Sequence, residues 1–398
     1  VVLENRGQHA PPVCDGEYSK WRARDLDLSA IEADLACLVD RQRYRCVSPR
    51  TGIDFSSNDY LALASSASLT GAVVDAVARG VPVGSGGSRL LRGNDPEHQR
   101  LEVEAAAFFD TPAALFFSSG YVANVALFST LPQRDDLVVY DELIHASVHE
   151  GLRLSRAEHR AAAHNDVGAF AEAIERWRTD GGSGRVWIAV ESLYSMDGDR
   201  APLGQFAALA TIHDGMLLVD EAHATGVFGQ AGRGLAAELS DRDNIITLHT
   251  CGKALGCEGA LVCGPHVVRD FLINRGRGFI FSTAPSPLMA AAVRGALRIL
   301  ADEPERRTRL TTLIAHASRQ LGPLGACATG TQIMPLIIGD DARTMIIAGR
   351  LAEAGFDVRG IRPPTVPVGT SRLRISLTLN VDEAMIDSLA EALAKALA

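Results

Sequence analysis

No run of apolar residues in this chain of 398 is long enough to cross a bilayer, which sets aside the membrane-spanning classes. Lysine and arginine form no block of the kind that tracks a phosphate backbone, and the formal charge is −9, so nucleic acid is not an expected partner. The opening VVLENRGQHAPP lacks a basic region followed by an apolar run; no secretory signal is expected, and the cytoplasm is the expected compartment. Cysteine numbers seven, an odd count, and Cys251, Cys257 and Cys263 recur every six residues rather than in the CxxC pairs of zinc sites. They read as reduced, mostly buried small hydrophobes, with no metal expected. Internal repeats are also missing, and the one linker-like stretch, TDGGSGR at 179–185, reads as a surface loop.

What remains is an ordinary globular composition, 47% hydrophobic and 22% charged, on a chain longer than one core usually supports. From about residue 100 to 265, short apolar runs alternate with helical patterns: AALFFSS, DLVVYD, RVWIAVES, MLLVDEAH, NIITLHT and GALVCG, with DVGAFAEAIERWRTD and LGQFAALATIHD among the intervening segments. Strands alternating with helices predict an α/β fold whose mostly parallel sheet is covered on both faces. Two long helical patterns follow near 284–302 and 304–321. The remainder reads as strand, helix, the proline-rich loop IRPPTVPVG, strand and final helix, a smaller α+β unit. The expected division is an N-terminal segment over 1–62, a large domain over 63–300 and a C-terminal α+β domain over 301–398.

Ligands of open α/β sheets sit at the carboxyl ends of strands, so residues just past each run carry the most information. SSGYVAN ends one run and opens a helix, where Ser119, Gly120 and Tyr121 would offer N–H groups to a phosphate; a plain helix cap is the simpler reading of that stretch alone. DELIHAS places His145 at the next strand end, able to stack on a flat ring or to serve structure only. VDEAHATG puts Asp220 and His223 after an apolar strand, where a buried carboxylate needs a partner. The letters DEAH suggest an ATPase acidic box, but that chemistry requires an upstream GxxxxGK loop followed by Ser or Thr. Here Gly252-Lys253-Ala254 lies downstream, with Thr247 where the first glycine belongs. GSGGSRLLRG at 84–93 misses the dinucleotide fingerprint at Arg89. Lys253 stands alone among glycines and apolar residues that would desolvate it. One lysine, one buried aspartate, a stacking imidazole and a glycine-bearing helix start suit pyridoxal 5′-phosphate. The amine captures the aldehyde, Asp220 keeps the pyridine nitrogen protonated, the helix start takes the phosphate and His145 covers a ring face.

The motifs FSSNDYLAL, GSGGSRLLRGN, SSGYVAN, DELIHAS, HND, SLYSMDGDRAPL, VDEAHATGVFGQAGRG, TCGKALG, FIFSTAPSP and IRPPTVPVGTSRLRISL closely resemble the α-oxoamine synthases. The resemblance runs from about residue 30 to 395. It implies a fold-type I pyridoxal-phosphate transferase with a seven-stranded sheet, condensing an amino acid with an acyl thioester and releasing carbon dioxide. IRPPTVP followed by GTSRLR is similar to the branch that uses L-alanine and a pimeloyl thioester, rather than its glycine-using siblings. By the same resemblance Lys253 carries the cofactor, Asp220 pairs with the pyridine nitrogen, His223 meets the ring oxygen and His145 stacks. Ser195 and Thr250 lie in cofactor-contacting motifs, and Gly120 and Tyr121 near the phosphate. Arg374 matches the position that grips the amino-acid carboxylate, and Arg41, Asn58, Arg362 and Thr365 match substrate positions. Ser282 and Thr283 resemble a stretch that reaches a partner's cofactor phosphate, which implies a homodimer with shared active sites. Two departures, Cys251 in place of the usual aromatic and Glu258 in place of a small or polar residue, imply an altered acyl pocket. More distant alternatives are an aminotransferase and a module that keeps the cofactor without turning over.

Overall fold

The computed structural model describes residues 27–398 apart from 42, 48 and 241; the opening stretch read above for a secretory signal lies outside them. Strand β1 (Ile53–Asp54) precedes the main sheet strands β2 (Ala113–Phe117), β3 (Leu137–Asp141), β4 (Glu158–Ala162), β5 (Val186–Glu191), β6 (Met216–Asp220), β7 (Ile245–Thr250) and β8 (Ala260–Gly264). Four more follow: β9 (Ile333–Gly339), β10 (Phe356–Asp357), β11 (Arg359–Ile361) and β12 (Ser371–Ser376).

The main sheet has the order β2-β8-β7-β6-β5-β3-β4, and only β8 runs against its neighbours. Every residue of β2, β5, β6 and β8 is buried, as expected of strands covered on both faces. Alternate residues serve opposite cores: Val138, Leu218 and Ile246 pack with the helix Gly120–Thr130, while Val139, Leu217 and Ile245 pack with the helices Val167–Thr179 and Leu203–Ile212. The apolar runs account for six of the seven strands. The seventh, β4, reads EHRAA; it pairs only with β3 at the sheet edge and leaves most side chains in water, so hydrophobic patterning gives no sign of it.

The C-terminal part is a three-stranded antiparallel sheet, β11-β12-β9, covered by the helices Asp341–Glu353 and Glu383–Leu397. β1 pairs in parallel with β10, through Ile53 and Phe356, so the segment leading into the large sheet is joined to the small one. One core continues from Phe55, Tyr60 and Leu63 through the helices Pro287–Asp302 and Glu305–Leu321 to Met334, Leu373 and Leu389. The mostly parallel seven-stranded sheet with a smaller α+β part is the architecture expected. No helix among the described residues is long and apolar enough to cross a membrane.

The cysteine expectation needs correction. Among the described residues Cys251 and Cys263 are buried, but Cys46 and Cys327 are exposed, and all six described thiols are free. No cluster of metal-ligating side chains occurs among the described residues.

Candidate active site

Parallel pairing brings the ends of β5, β6 and β7 to one edge of the sheet, where Glu191 is the register partner of Asp220 and Asp220 that of Leu248. Asp220, His223 and Lys253 follow from those ends and, with His145, face one cavity of about 400 Å³ that Gly120, Tyr121, Thr250 and Asn58 also line. Burial lowers the Lys253 pKa and Arg374 adds to the effect, against the pull of Asp220 and Glu191. Its ammonium forms no hydrogen bond or ion pair among the described residues.

Asp220 is nearly buried; Oδ1 accepts from the Ala222 N–H at 2.9 Å and Oδ2 from Asn124 Nδ2 at 2.8 Å. Asn124 also donates to Ser147 Oγ at 2.9 Å, and that hydroxyl lies 2.7 Å from His145 Nδ1. His145 keeps solvent contact at the cavity mouth; partial burial lowers its pKa against the attraction of Asp220. His223 is buried, its pKa driven well down by desolvation and by Lys253, and its Nδ1 lies 2.6 Å from the Tyr60 hydroxyl. Neutral imidazoles and an amine of lowered basicity surround a carboxylate, a set suited to moving protons.

The helix Gly120–Thr130 starts with Ser119 as its cap, the hydroxyl accepting from the Val122 N–H. Gly120 does more than begin a helix. A Cβ there would lie 2.5 Å from the Thr250 methyl, so only glycine lets Thr250 approach the cavity floor at the positive helix end.

Arg374 lies on β12, outside the large sheet, and reaches back to it. Nε donates to the Ser195 carbonyl at 2.6 Å, and Nη2 donates to Asn58 Oδ1 at 3.0 Å and to the Tyr60 hydroxyl at 3.4 Å. Arg372, two residues away on the same strand face, pairs with Asp197 in the same loop. Ser195 thus meets the site through its backbone. His164 bonds Asp141 through Nδ1 at 2.9 Å and Asp199 through Nε2 at 2.8 Å, which joins the DELIHAS loop to SMDGD.

Several expected residues lie elsewhere. Arg41 is exposed at the end of the helix Ser29–Asp40, and Arg362 sits among Arg45, Asp341 and Arg43. Thr365 belongs to the loop after β11, its N–H bonded to the Arg362 carbonyl. Ser282 and Thr283 do not line the cavity of their own chain. Cys251 is fully buried in the core against Ala254 and Leu255 and so does not shape the cavity, whereas Glu258 does line it.

Four residues that the sequence reading left out belong to the site: Asn124, Ser147, Glu191 and Tyr60. Asn124 stands one turn after Gly120, hence on the same helix face, and Ser147 two residues after His145; those spacings were the available signals. Glu191 ends β5 nearly buried, with Oε1 lacking a hydrogen-bond partner among the described residues, and burial together with Asp220 holds its carboxyl far above the ordinary range.

A solitary desolvated amine, a carboxylate fixed by two N–H donors and a glycine-bearing helix start are donors that fit pyridoxal phosphate. Comparison with known proteins agrees. The family model described as aminotransferase class I and II matches residues 50–393. The chain is 43% identical over 354 residues to the 8-amino-7-oxononanoate synthase of Anaeromyxobacter dehalogenans, covering 88% of each chain. It is 42% identical over 388 residues to the protein of the same name from Geobacter sulfurreducens, covering 96% of each. Among solved structures, the 8-amino-7-oxononanoate synthase of Francisella tularensis aligns with a TM-score of 0.72 at 30% identity, covering 87% of this chain and 98% of that one. A serine palmitoyltransferase from S. paucimobilis, solved with a bound PLP–myriocin aldimine, aligns with a TM-score of 0.84 at 26% identity, covering 94% and 98%.

Proposed function

Because this chain belongs to the aminotransferase class I and II family, matched over residues 50–393, we propose that it is a pyridoxal-phosphate-dependent acyltransferase joining L-alanine to a pimeloyl thioester. The products are 8-amino-7-oxononanoate, carbon dioxide and the free thiol, a step of biotin biosynthesis. One observation carries the reading: Lys253 faces the same cavity as Asp220, desolvated and without a hydrogen bond or ion pair among the described residues. The relatives, 39–44% identical over most of the chain, carry the name 8-amino-7-oxononanoate synthase, which supports that product.

When bound, pyridoxal phosphate supplies an aldehyde for a neutral amine and an electron-accepting ring for the charge left at an amino acid's Cα. Lys253 would hold the aldehyde and, once free, carry a proton on Nζ to and from Cα; desolvation lowers the proton affinity of that nitrogen. Asp220 would hold the proton of the pyridine nitrogen. His145 would lie on a ring face, His223 would meet the ring oxygen, and Thr250 with the N–H groups of Gly120 and Tyr121 would take the phosphate. Arg374 would exchange its contacts to Asn58 and Tyr60 for the carboxylate of alanine, leaving Asn58 beside it.

A homodimer with shared sites belongs to the same proposal. A groove of about 630 Å³ along β2 is lined by Leu90 and Val103, both exposed, and Phe281, 70% exposed, precedes Ser282 and Thr283. These apolar groups suit a second copy, whose cofactor phosphate Ser282 and Thr283 would reach. Arg41, Arg362 and Thr365 stay assigned to substrate on the strength of their motifs.

The test is thiol release across acyl thioesters, with alanine, glycine and serine in turn. Alanine with pimeloyl thioester should be fastest. Faster release with glycine and acetyl or succinyl thioesters would make the chain a sibling condensing enzyme, and conversion of alanine to a keto acid without thioester would make it an aminotransferase.

A further inference from the structure

Asn124 sits in the first turns of the helix Gly120–Thr130, 3% exposed, with its amide nitrogen between an oxygen at the end of β6 and one in the first turn of the helix Ala146–Leu154. An amide nitrogen carries two N–H donors and no acceptor, so the directions of both hydrogen bonds are settled. One runs to Asp220 Oδ2 at 2.8 Å, the other to Ser147 Oγ at 2.9 Å. A flipped amide would set its oxygen against the Asp220 carboxylate, lone pair against lone pair.

The polarity then passes outward. Ser147, itself fully buried, accepts from Asn124, so its own proton points to the remaining neighbour, His145 Nδ1, at 2.7 Å. The Ser147 N–H also donates to that nitrogen, at 3.2 Å. With two donors aimed at it, Nδ1 carries no proton, and the imidazole is neutral with its hydrogen on Nε2.

We infer that Asn124 is a positioning residue that, through one pair of amide protons, orients the Asp220 carboxylate and fixes His145 in the Nε2–H tautomer by way of Ser147. The chain Asp220–Asn124–Ser147–His145 ties the group placed at the pyridine nitrogen to the group placed over the ring. A His145 set in this way presents an uncharged face to a cationic ring and keeps a donor turned away from Ser147. A protonated imidazole there would repel the pyridinium that Asp220 stabilises. The part of the inference that concerns Asp220 rests on the cofactor reading above; the tautomer of His145 does not.

Two measurements test it. Imidazole ¹⁵N spectra of cofactor-free protein, with the His145 signals assigned from His145→Gln, should show an unprotonated Nδ1 and a protonated Nε2. Asn124→Ala and Ser147→Ala should each move those shifts part of the way toward a protonated Nδ1, since only the Ser147 N–H then remains to oppose that proton. In protein loaded with pyridoxal phosphate, Asn124→Ala should move the pH midpoint of the cofactor absorbance by about one unit, the effect of one lost charge-assisted hydrogen bond. Ser147→Ala should leave that midpoint in place. Should Asn124→Ala fail to fold, Asn124→Ser removes the same amide with less cavity. A wild-type His145 proton on Nδ1, or an Asn124 variant that changes neither readout, overturns the inference. A chain that takes up no pyridoxal phosphate refutes the proposed function instead, and the ¹⁵N spectra still decide the tautomer.

Discussion

Lys253 is one of three lysines in the chain, with Lys20 and Lys395, so covalent chemistry at an amine has few competitors. Borohydride treatment of protein loaded with pyridoxal phosphate should mark the peptide of Lys253 alone. Lys253→Ala should lose the mark and lower turnover by about a thousandfold or more, the scale of a lost proton carrier. A mark on Lys395 would displace Lys253 from the centre. Glu191 makes a different prediction. Burial and the neighbouring Asp220 keep its carboxyl protonated, so Glu191→Gln removes no charge and should shift the denaturation free energy by less than about 1 kcal/mol. A loss of several kcal/mol in urea titration would show that the group is ionised and paired. The solitary Lys253 and the carboxylate at Asp220 were legible because each breaks its surroundings, a charge in an apolar run. Glu191 was not: its meaning depends on Asp220 lying beside it on the next strand, a pairing that letters twenty-nine positions apart do not show.

At the scale of elements, the site depends on how closely the start of one helix meets the end of one strand. Gly120→Ala would press a methyl on the Thr250 methyl and should cost about 1–3 kcal/mol in denaturant, with Thr250→Ser restoring most of it. A neutral single substitution would deny the close approach. The DELIHAS and SMDGD loops are held by His164. Against burial, which lowers it, hydrogen bonds to Asp141 and Asp199 raise the His164 pKa to about 10, above an unfolded value of about 6.5. The imidazolium therefore contributes its full stability below pH ~6.5, and the contribution is lost as pH rises through about 10. Melting temperature should fall across that window in the wild type, and His164→Asn should flatten the fall. An equal slope in both would remove His164 from the loop lock. HND is recognisable as a motif, but only the fold shows that its imidazole spans the aspartate ending β3 and one in the loop after β5.

Across the whole molecule, the small C-terminal sheet completes a site built mainly on the large one. Arg372 and Arg374 point from one face of β12 to the loop carrying Ser195 and Asp197, so these contacts exist only when the two sheets are packed together. Sedimentation of the purified chain should give twice the mass of 42.3 kDa; a monomer with full activity would sink the shared-site arrangement. What the sequence alone determined was whatever repeats at short range or carries its own chemistry: six apolar strands, the amphipathic helices, the lone lysine and the buried aspartate that share a cavity, and the motifs of the family. The edge strand β4 was left to tertiary structure because its identity lies in backbone pairing with β3, not in hydrophobicity. So were the partners of Asn124, His164 and Arg374. Their hydrogen bonds join residues whose closeness is produced by strand order and sheet packing, and a one-dimensional pattern carries no measure of that distance.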